Sequence, residues 1–457
     1  MIAPARVASF RALREVTRGD AQPASVLARE HRALADPRDR ALTTEIVTGT
    51  LRWQRALDAA IAAAAARALD TIQPDLLLIL RLSLYQLLHL DRVPAAAVVD
   101  DAVSLTRTAG QARATGFVNG VLRTLSRTRE RLGLPPRPSP GAPRQAALDY
   151  LGVSQSHPDW LVERWLDRYG FDHAAAWTEF NNATPALTVR ANRLITTRDA
   201  LRQQLLDEDE LETTPGRFAP DALVVSSGRL PEARGRFTIQ DEASQLVPLL
   251  LGAQPGERVL DLCASPGGKA TALAAEMQGR GVIVACDARP RRMRLLSAAV
   301  RESRASNIRL VQVGGRDEVP FAPVFDRVLV DAPCSGLGTV RRDPDIKWRR
   351  TEADLAGFAD YQRTLLARAA RAVAPGGRLV YATCSSEPEE NEAVVDAFLA
   401  THPGYTLEDA RHIDEARLGV VTDARGMLRT LPFAHRLEAF FAAALVRAAP
   451  GVRGGRL

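Results

Sequence analysis

Two thiols stand just past strand-like runs: "VLVDAPCSG" carries Asp331 and Cys334, and "LVYATCSSEPEEN" carries Cys384 ahead of a run of carboxylates. Cysteine suits covalent catalysis because part of it is thiolate near neutral pH and its sulfur is a strong nucleophile. The remaining cysteines, Cys263 and Cys286, read as small buried residues of an apolar core. For Cys334 and Cys384, core filler and nucleophile both stay open on the residues alone. Upstream, "VLDLCASPGGKATAL" places a turn of Cys263, Ala264, Ser265, Pro266, Gly267, Gly268 and Lys269 between a strand and a helix. Its glycines let the backbone approach a ligand, and the first N–H groups of the next helix are unpaired. The spacing is neither GxGxxG nor a Walker loop, which disfavours a dinucleotide or a nucleoside triphosphate. One strand later "VIVACD" ends in Asp287, an acid placed to hold a ribose diol. Turn and acid together suggest a nucleoside-bearing cofactor.

These residues need a sheet that gathers strand ends along one edge. From residue 236 onward, "ERVLDLC", "GVIVACD", "NIRLVQV", "FDRVLVD" and "GRLVYATC" alternate with helical segments, the rhythm of a doubly wound parallel sheet. Residues 145–235 mix a helix ending at Gly170 with short strand-like runs, a small α+β module. The front of the chain reads as helical throughout, with Asp36 capping a helix that opens at Pro37. A Pro/Gly-rich linker, "GLPPRPSPGAPR", closes that region. The apolar stretch "PDLLLILRLSLYQLLHL" is interrupted by Arg81 and His89, so it reads as a buried helix rather than a membrane span.

With 457 residues, 46% apolar content and no secretory leader pattern, the chain reads as a multidomain protein of the cytoplasm without a membrane anchor. Four unclustered cysteines argue against a disulfide framework and against a zinc site. A net charge of +6 favours a polyanionic partner. Of 60 basic side chains only two are lysine, Lys269 and Lys347, and both fall inside motif-like segments. Lysine is a compact charge on a thin stem where arginine is a wide fork, so both positions read as selective.

Taken together, "LDLCASPGGKAT", "DAPCSG", "RRDPDIKW" and "TCSSEPEEN" resemble the successive motifs of the cytosine-5 RNA methyltransferases, with "FTIQDEASQLV" leading in. The front, through "PRDRALTTEIVTGTLR" and "GFVNGVLR", resembles a NusB-like RNA-binding domain. The resemblance implies an all-α NusB-like domain over 1–140, a small α+β RNA-binding and linker domain over 145–235, and an α/β Rossmann-like methyltransferase domain over 236–450. It implies S-adenosylmethionine as methyl donor, with Cys263 to Lys269 around its methionine part, Asp287 on the ribose and Arg292 at a matching position. Asp331 would lie between cofactor and target base, Cys384 would be the nucleophile, and Cys334 would assist product release.

Two positions depart from the family pattern. Gly314 stands where an acid usually reaches the adenine, with Asp317 or the backbone as the substitute, and Glu438-Ala439 replaces Asp-Gly. The chemistry implied is addition of the Cys384 thiolate to carbon 6 of an unstacked cytosine, which makes carbon 5 reactive. Asp331 would serve ring nitrogen 3 if an apolar floor raises its pKa. The implied partner is small-subunit ribosomal RNA, bound by a monomer through Lys347, Arg341, Arg342, Arg349 and Arg350. A tRNA or other RNA substrate, and a non-catalytic RNA-binding role, remain the alternatives.

Overall fold

Residues 2–19, 21–314 and 319–449 are described by a computed structural model. They fall into two units, Met1–Ala183 with Val340–Arg350, and Thr184–Thr339 with Thr351–Leu457. Asp317 of the sequence reading lies outside the described residues.

In the first unit proline opens the helices Pro4–Thr17, Pro23–Ala33, Pro37–Arg52 and Pro74–His89. Its fixed φ suits the first helical turn, where its missing N–H costs nothing. Asp36 caps the third of these by accepting from the Arg38 N–H at 2.8 Å, as expected. Leu13, Ile46, Leu57, Ile61, Ile79, Leu80 and Leu82 form the centre of one apolar core. The Pro74–His89 helix is buried within it, and Arg81 is neutralised there by Asp58 at 2.6 Å. Among the described residues no helix is long and apolar enough to cross a membrane. The helix Asp159–Asn182 breaks at Gly170, whose φ of 75° and ψ of 173° end its first half where the sequence predicted.

The second unit holds two sheets. The smaller is antiparallel, β2-β3-β1-β4, from β1 (Thr188–Ala191), β2 (Glu212–Pro215), β3 (Ala222–Ser227) and β4 (Phe237–Ile239). Leu201 and Leu205 of the helix Arg198–Asp209 pack onto it against Val189 and Leu223.

The larger sheet is built from β5 (Arg258–Asp261), β6 (Val282–Asp287), β7 (Ile308–Gln312), β8 (Phe325–Asp331) and β9 (Val373–Thr383). β10 (Tyr405–Glu408), β11 (Leu428–Arg429) and β12 (Phe441–Arg447) complete it. The order is β10-β12-β9-β8-β5-β6-β7, with β11 beside β12. From β9 to β7 the strands are parallel, as the sequence rhythm predicted, while β12 joins β9 antiparallel and makes the sheet mixed. Successive residues feed opposite faces: Val259, Leu329 and Val380 enter one core, and Leu260, Val330 and Tyr381 enter the other. Burial on both faces is why these strands read as continuous apolar runs. The order reverses beside β5, and there the carboxyl ends of β5, β6, β8 and β9 open a crevice.

Candidate active site

The turn after β5 is pinned on both sides. Leu262 N–H donates to Leu329 O at 3.0 Å, and Ala264 N–H to Cys286 O at 2.8 Å. Gly267 has a φ of 115°, and a Cβ there would come within 2.9 Å of the Ala299 side chain, so only glycine fits. The helix Gly268–Glu276 starts immediately after it. Arg292 ties this turn to the ribose-type acid: it donates to Ser265 O at 3.0 Å and stands 3.5 Å from Asp287 Oδ2. Asp287 is buried and accepts the Arg289 N–H at 3.1 Å. Val313 N–H donates to Asp287 O at 3.3 Å, which brings Gly314 to the same sheet edge.

Lys269, on the first turn of that helix, donates to Asp331 Oδ2 at 2.7 Å. An apolar floor was the condition that the sequence set for Asp331; the structure places an ammonium partner beside it. Below them lies an acid that the sequence reading passed over. Asp261 is fully buried, and neither of its oxygens has a hydrogen-bond partner. Burial, then the charge of Asp331, push its carboxyl up to about 8, with Lys269 pulling the other way. A buried, unpartnered acid beside a Cβ-free turn fits a ligand that brings a cation and a close-packed backbone approach. Its sequence signal was its place as the last residue of the first strand.

β8 and β9 run in register, with Asp331 opposite Ala382, so Cys334 and Cys384 leave adjacent strand ends. Their sulfurs are 3.2 Å apart. The Cys334 thiol is pushed well above its usual range by its contact with Cys384, by burial, and by the charges of Cys384 and Glu390. Gly338 lies against the Cys384 loop: its N–H donates to Cys384 O at 2.9 Å, and its carbonyl accepts from Ala439 N–H at 3.0 Å. A Cβ at Gly338 would collide with the Ala439 carbonyl. Ala439 itself is not among the residues with positive φ, so the replaced glycine is not needed for backbone reasons.

The "EPEEN" run after Cys384 turns inward, burying Glu387, Glu390 and Asn391. Glu390 is fully buried, accepting from Ser335 N–H at 2.8 Å, Gln362 Nε2 at 2.9 Å, and the Ser335 and Ser385 hydroxyls at 2.5 Å each. Asn391 takes the Thr383 hydroxyl at 2.5 Å and donates to Ser385 O at 3.0 Å. Gln362 also donates to Pro333 O at 3.0 Å. Gln362 carried no sequence signal, lying on a helix of ordinary amphipathic pattern.

The remaining expected site residues fall in the first unit. Lys347 is 1% exposed and donates to Arg52 O at 2.8 Å; burial and the Arg52 charge lower its pKa well below the usual range. Trp348 donates to Leu51 O at 2.6 Å, so two neighbouring side chains satisfy the carbonyl end of the helix Pro37–Arg52. Arg341 lies over the Phe180 ring at 4.4 Å and donates to Ala183 O at 3.3 Å, while Arg342 is exposed.

Three family models match the chain: the 16S rRNA methyltransferase RsmB/F model at 248–446, the NusB family at 3–127, and the RsmF/B-like ferredoxin-like domain at 157–229. "Probable ribosomal RNA small subunit methyltransferase B" of a Synechocystis strain is 35% identical, over 97% of this chain and 99% of its own. "Ribosomal RNA small subunit methyltransferase B" of Pseudomonas putida is also 35% identical, over 90% of this chain and 91% of its own. The crystal structure of PH0851 matches with a TM-score of 0.78 and 26% identity, covering 97% of this chain and 99% of that one. A methyltransferase homolog protein from Pyrococcus horikoshii matches with a TM-score of 0.57 at 25% identity, over 68% of this chain and all of that one.

Proposed function

This chain belongs to the 16S rRNA methyltransferase RsmB/F family, and on that premise we propose that it methylates carbon 5 of a cytosine in small-subunit ribosomal RNA through a covalent Cys384 adduct. The observation that carries this reading is the sulfur pair, Cys334 and Cys384, 3.2 Å apart at adjacent strand ends. One thiol would suffice for addition; two in contact suit a reaction that must both form and break a carbon–sulfur bond. S-adenosylmethionine supplies the electrophilic methyl group when bound. Cys263 to Lys269 with Asp287 would hold it, Arg292 steadying both, and the unpartnered Asp261 fits its positive charge. With Gly314 lacking a side chain, backbone groups near β7 would meet its adenine.

Cys384 attacks carbon 6 of the base, and the carbon 5–carbon 6 π pair shifts so that carbon 5 becomes nucleophilic and takes the methyl group. Asp331, held by Lys269, orients the pyrimidine through a hydrogen bond to its edge. Loss of the carbon 5 proton to water then restores the double bond and expels the Cys384 thiolate, a step that Cys334 organises. The target base must leave its stack, so an unpaired cytosine is the substrate. The NusB-type helical unit and the exposed arginines, Arg342 among them, supply phosphate contacts.

The test is a denaturing gel of each variant with small-subunit RNA and methyl donor. Cys384→Ala should lose all methylation and give no RNA–protein band. Cys334→Ala should accumulate a denaturant-resistant band, since addition and transfer proceed while elimination stalls. A band with Cys384→Ala instead reverses the two roles, and turnover retained by both variants sinks the covalent reading.

A further inference from the structure

A single carboxyl group grips the residue that follows each thiol. Ser335 comes directly after Cys334 and Ser385 directly after Cys384, and Glu390 accepts from both hydroxyls and from the Ser335 N–H. Gln362 supplies the fourth bond. All four partners donate, the arrangement of a carboxylate rather than of a protonated acid. The clasp is itself fixed, because the Tyr381 hydroxyl donates to Glu390 O at 2.5 Å and Asn391 holds Ser385 O. No solvent reaches the Glu390 side chain to screen its charge.

We infer that Glu390 is a positioning residue that sets the spacing of the two sulfurs and, as a fixed negative charge beside Cys334, keeps that thiol protonated while Cys384 acts. The inference rests on the reading of Cys384 as the nucleophile. The groups acting on Cys334 are Cys384 across the strand end and Glu390 from the turn that follows β9. Both oppose a negative Cys334, so its S–H persists 3.2 Å from the Cys384 sulfur. The proton that Cys384 loses on attacking carbon 6 leaves to solvent, which reaches its half-buried sulfur, while the Cys334 S–H stays in place beside it. Besides the clasp, the segments carrying Cys334 and Cys384 are joined by the Gly338 N–H on Cys384 O, by the Ala332 N–H on Ala382 O and by the Ser335–Ser385 hydroxyl pair at 3.2 Å.

Glu390→Gln removes the charge with almost no change of shape, while Glu390→Asp keeps the charge and shortens the reach. Site-resolved iodoacetamide labelling of the full chain, followed by mass spectrometry from pH 6 to 10, reads Cys334 without needing RNA. In Glu390→Gln the Cys334 labelling midpoint should fall by roughly one pH unit or more, the effect of losing a nearby like charge. In Glu390→Asp the midpoint should stay with wild type. Single-turnover methyl transfer should drop about 10- to 100-fold in both, as for a displaced reacting group. Equal midpoints in wild type and Glu390→Gln, or equal shifts in the two variants, would overturn the inference. Should Glu390→Gln lose its fold by circular dichroism, Ser335→Ala carries the test: slower transfer with an unchanged midpoint supports the clasp, and a wild-type rate refutes it. If wild type transfers no methyl to carbon 5, the proposed function fails while the labelling still decides the charge assignment.

Discussion

Both lysines of this arginine-rich chain are held in buried contacts: Lys269 on Asp331 with 11% of its side chain exposed, Lys347 sealed against Arg52 O. A compact ammonium on an apolar stem suits a single buried acceptor, where a planar fork suits two. Lys347→Met keeps the stem and strands the Arg52 carbonyl, which should lower stability by about 1–3 kcal/mol, read from urea midpoints. The same variant should leave the salt dependence of RNA binding unchanged; a slope reduced by about one would identify Lys347 as a phosphate contact instead. Asp261 gives a second test. Its carboxyl keeps its proton to about pH 8 in the folded chain and releases it near pH 4 when unfolded. The folded state therefore binds more protons between those values, and stability falls as pH rises through that window. Asp261→Asn should flatten the fall, by at most about 1.4 kcal/mol per pH unit, in cofactor-free unfolding followed by hydrogen exchange in 258–331.

At the scale of elements, the helix Pro37–Arg52 carries its own lock in Gly49, where a Cβ would run into the Tyr85 ring. Tyr85 in turn donates to Glu45 at 2.5 Å, and burial, then that hydrogen bond, push its phenol up beyond any physiological titration. Gly49→Ala should cost about 1–3 kcal/mol through overpacking, seen as a lower melting temperature of the first unit. The sequence announced β5 to β9 because both faces of each are buried, and it announced the Gly267 turn because only glycine tolerates that backbone. It was silent on the antiparallel β12, whose "FAAALVR" has the same apolar texture as a parallel strand. Cys334 and Cys384 were visible as types, but their contact depends on β8 and β9 being neighbours, a relation between residues fifty apart. Gln362 and Asp261 were hidden for a similar reason: each gains its meaning only from what the fold places around it.

Over the whole molecule, acid should act unevenly. His89, stacked on Trp53 and Tyr85, is lowered to about 4 by burial, and buried His157 lies well below its usual range for the same reason. Both are neutral when folded and take up a proton on unfolding below about pH 6.5, so stability of the first unit is lost as pH falls from there toward 4. All five tryptophans, Trp53, Trp160, Trp165, Trp177 and Trp348, belong to that unit, so their emission reports on it alone. The urea midpoint by tryptophan emission should be lower at pH 5 than at pH 7; an unchanged midpoint would contradict the burial of the two imidazoles. The chain route has a further outcome. Residues 340–350 belong to the first unit although they follow β8 in sequence. During synthesis the helix Pro37–Arg52 emerges roughly 15–60 seconds before Lys347 and Trp348 exist to occupy its last carbonyls. A nascent chain must wait with that helix end wet, and ribosome-stalled products ending at residue 339 should exchange the amides of 37–52 faster than the finished protein does.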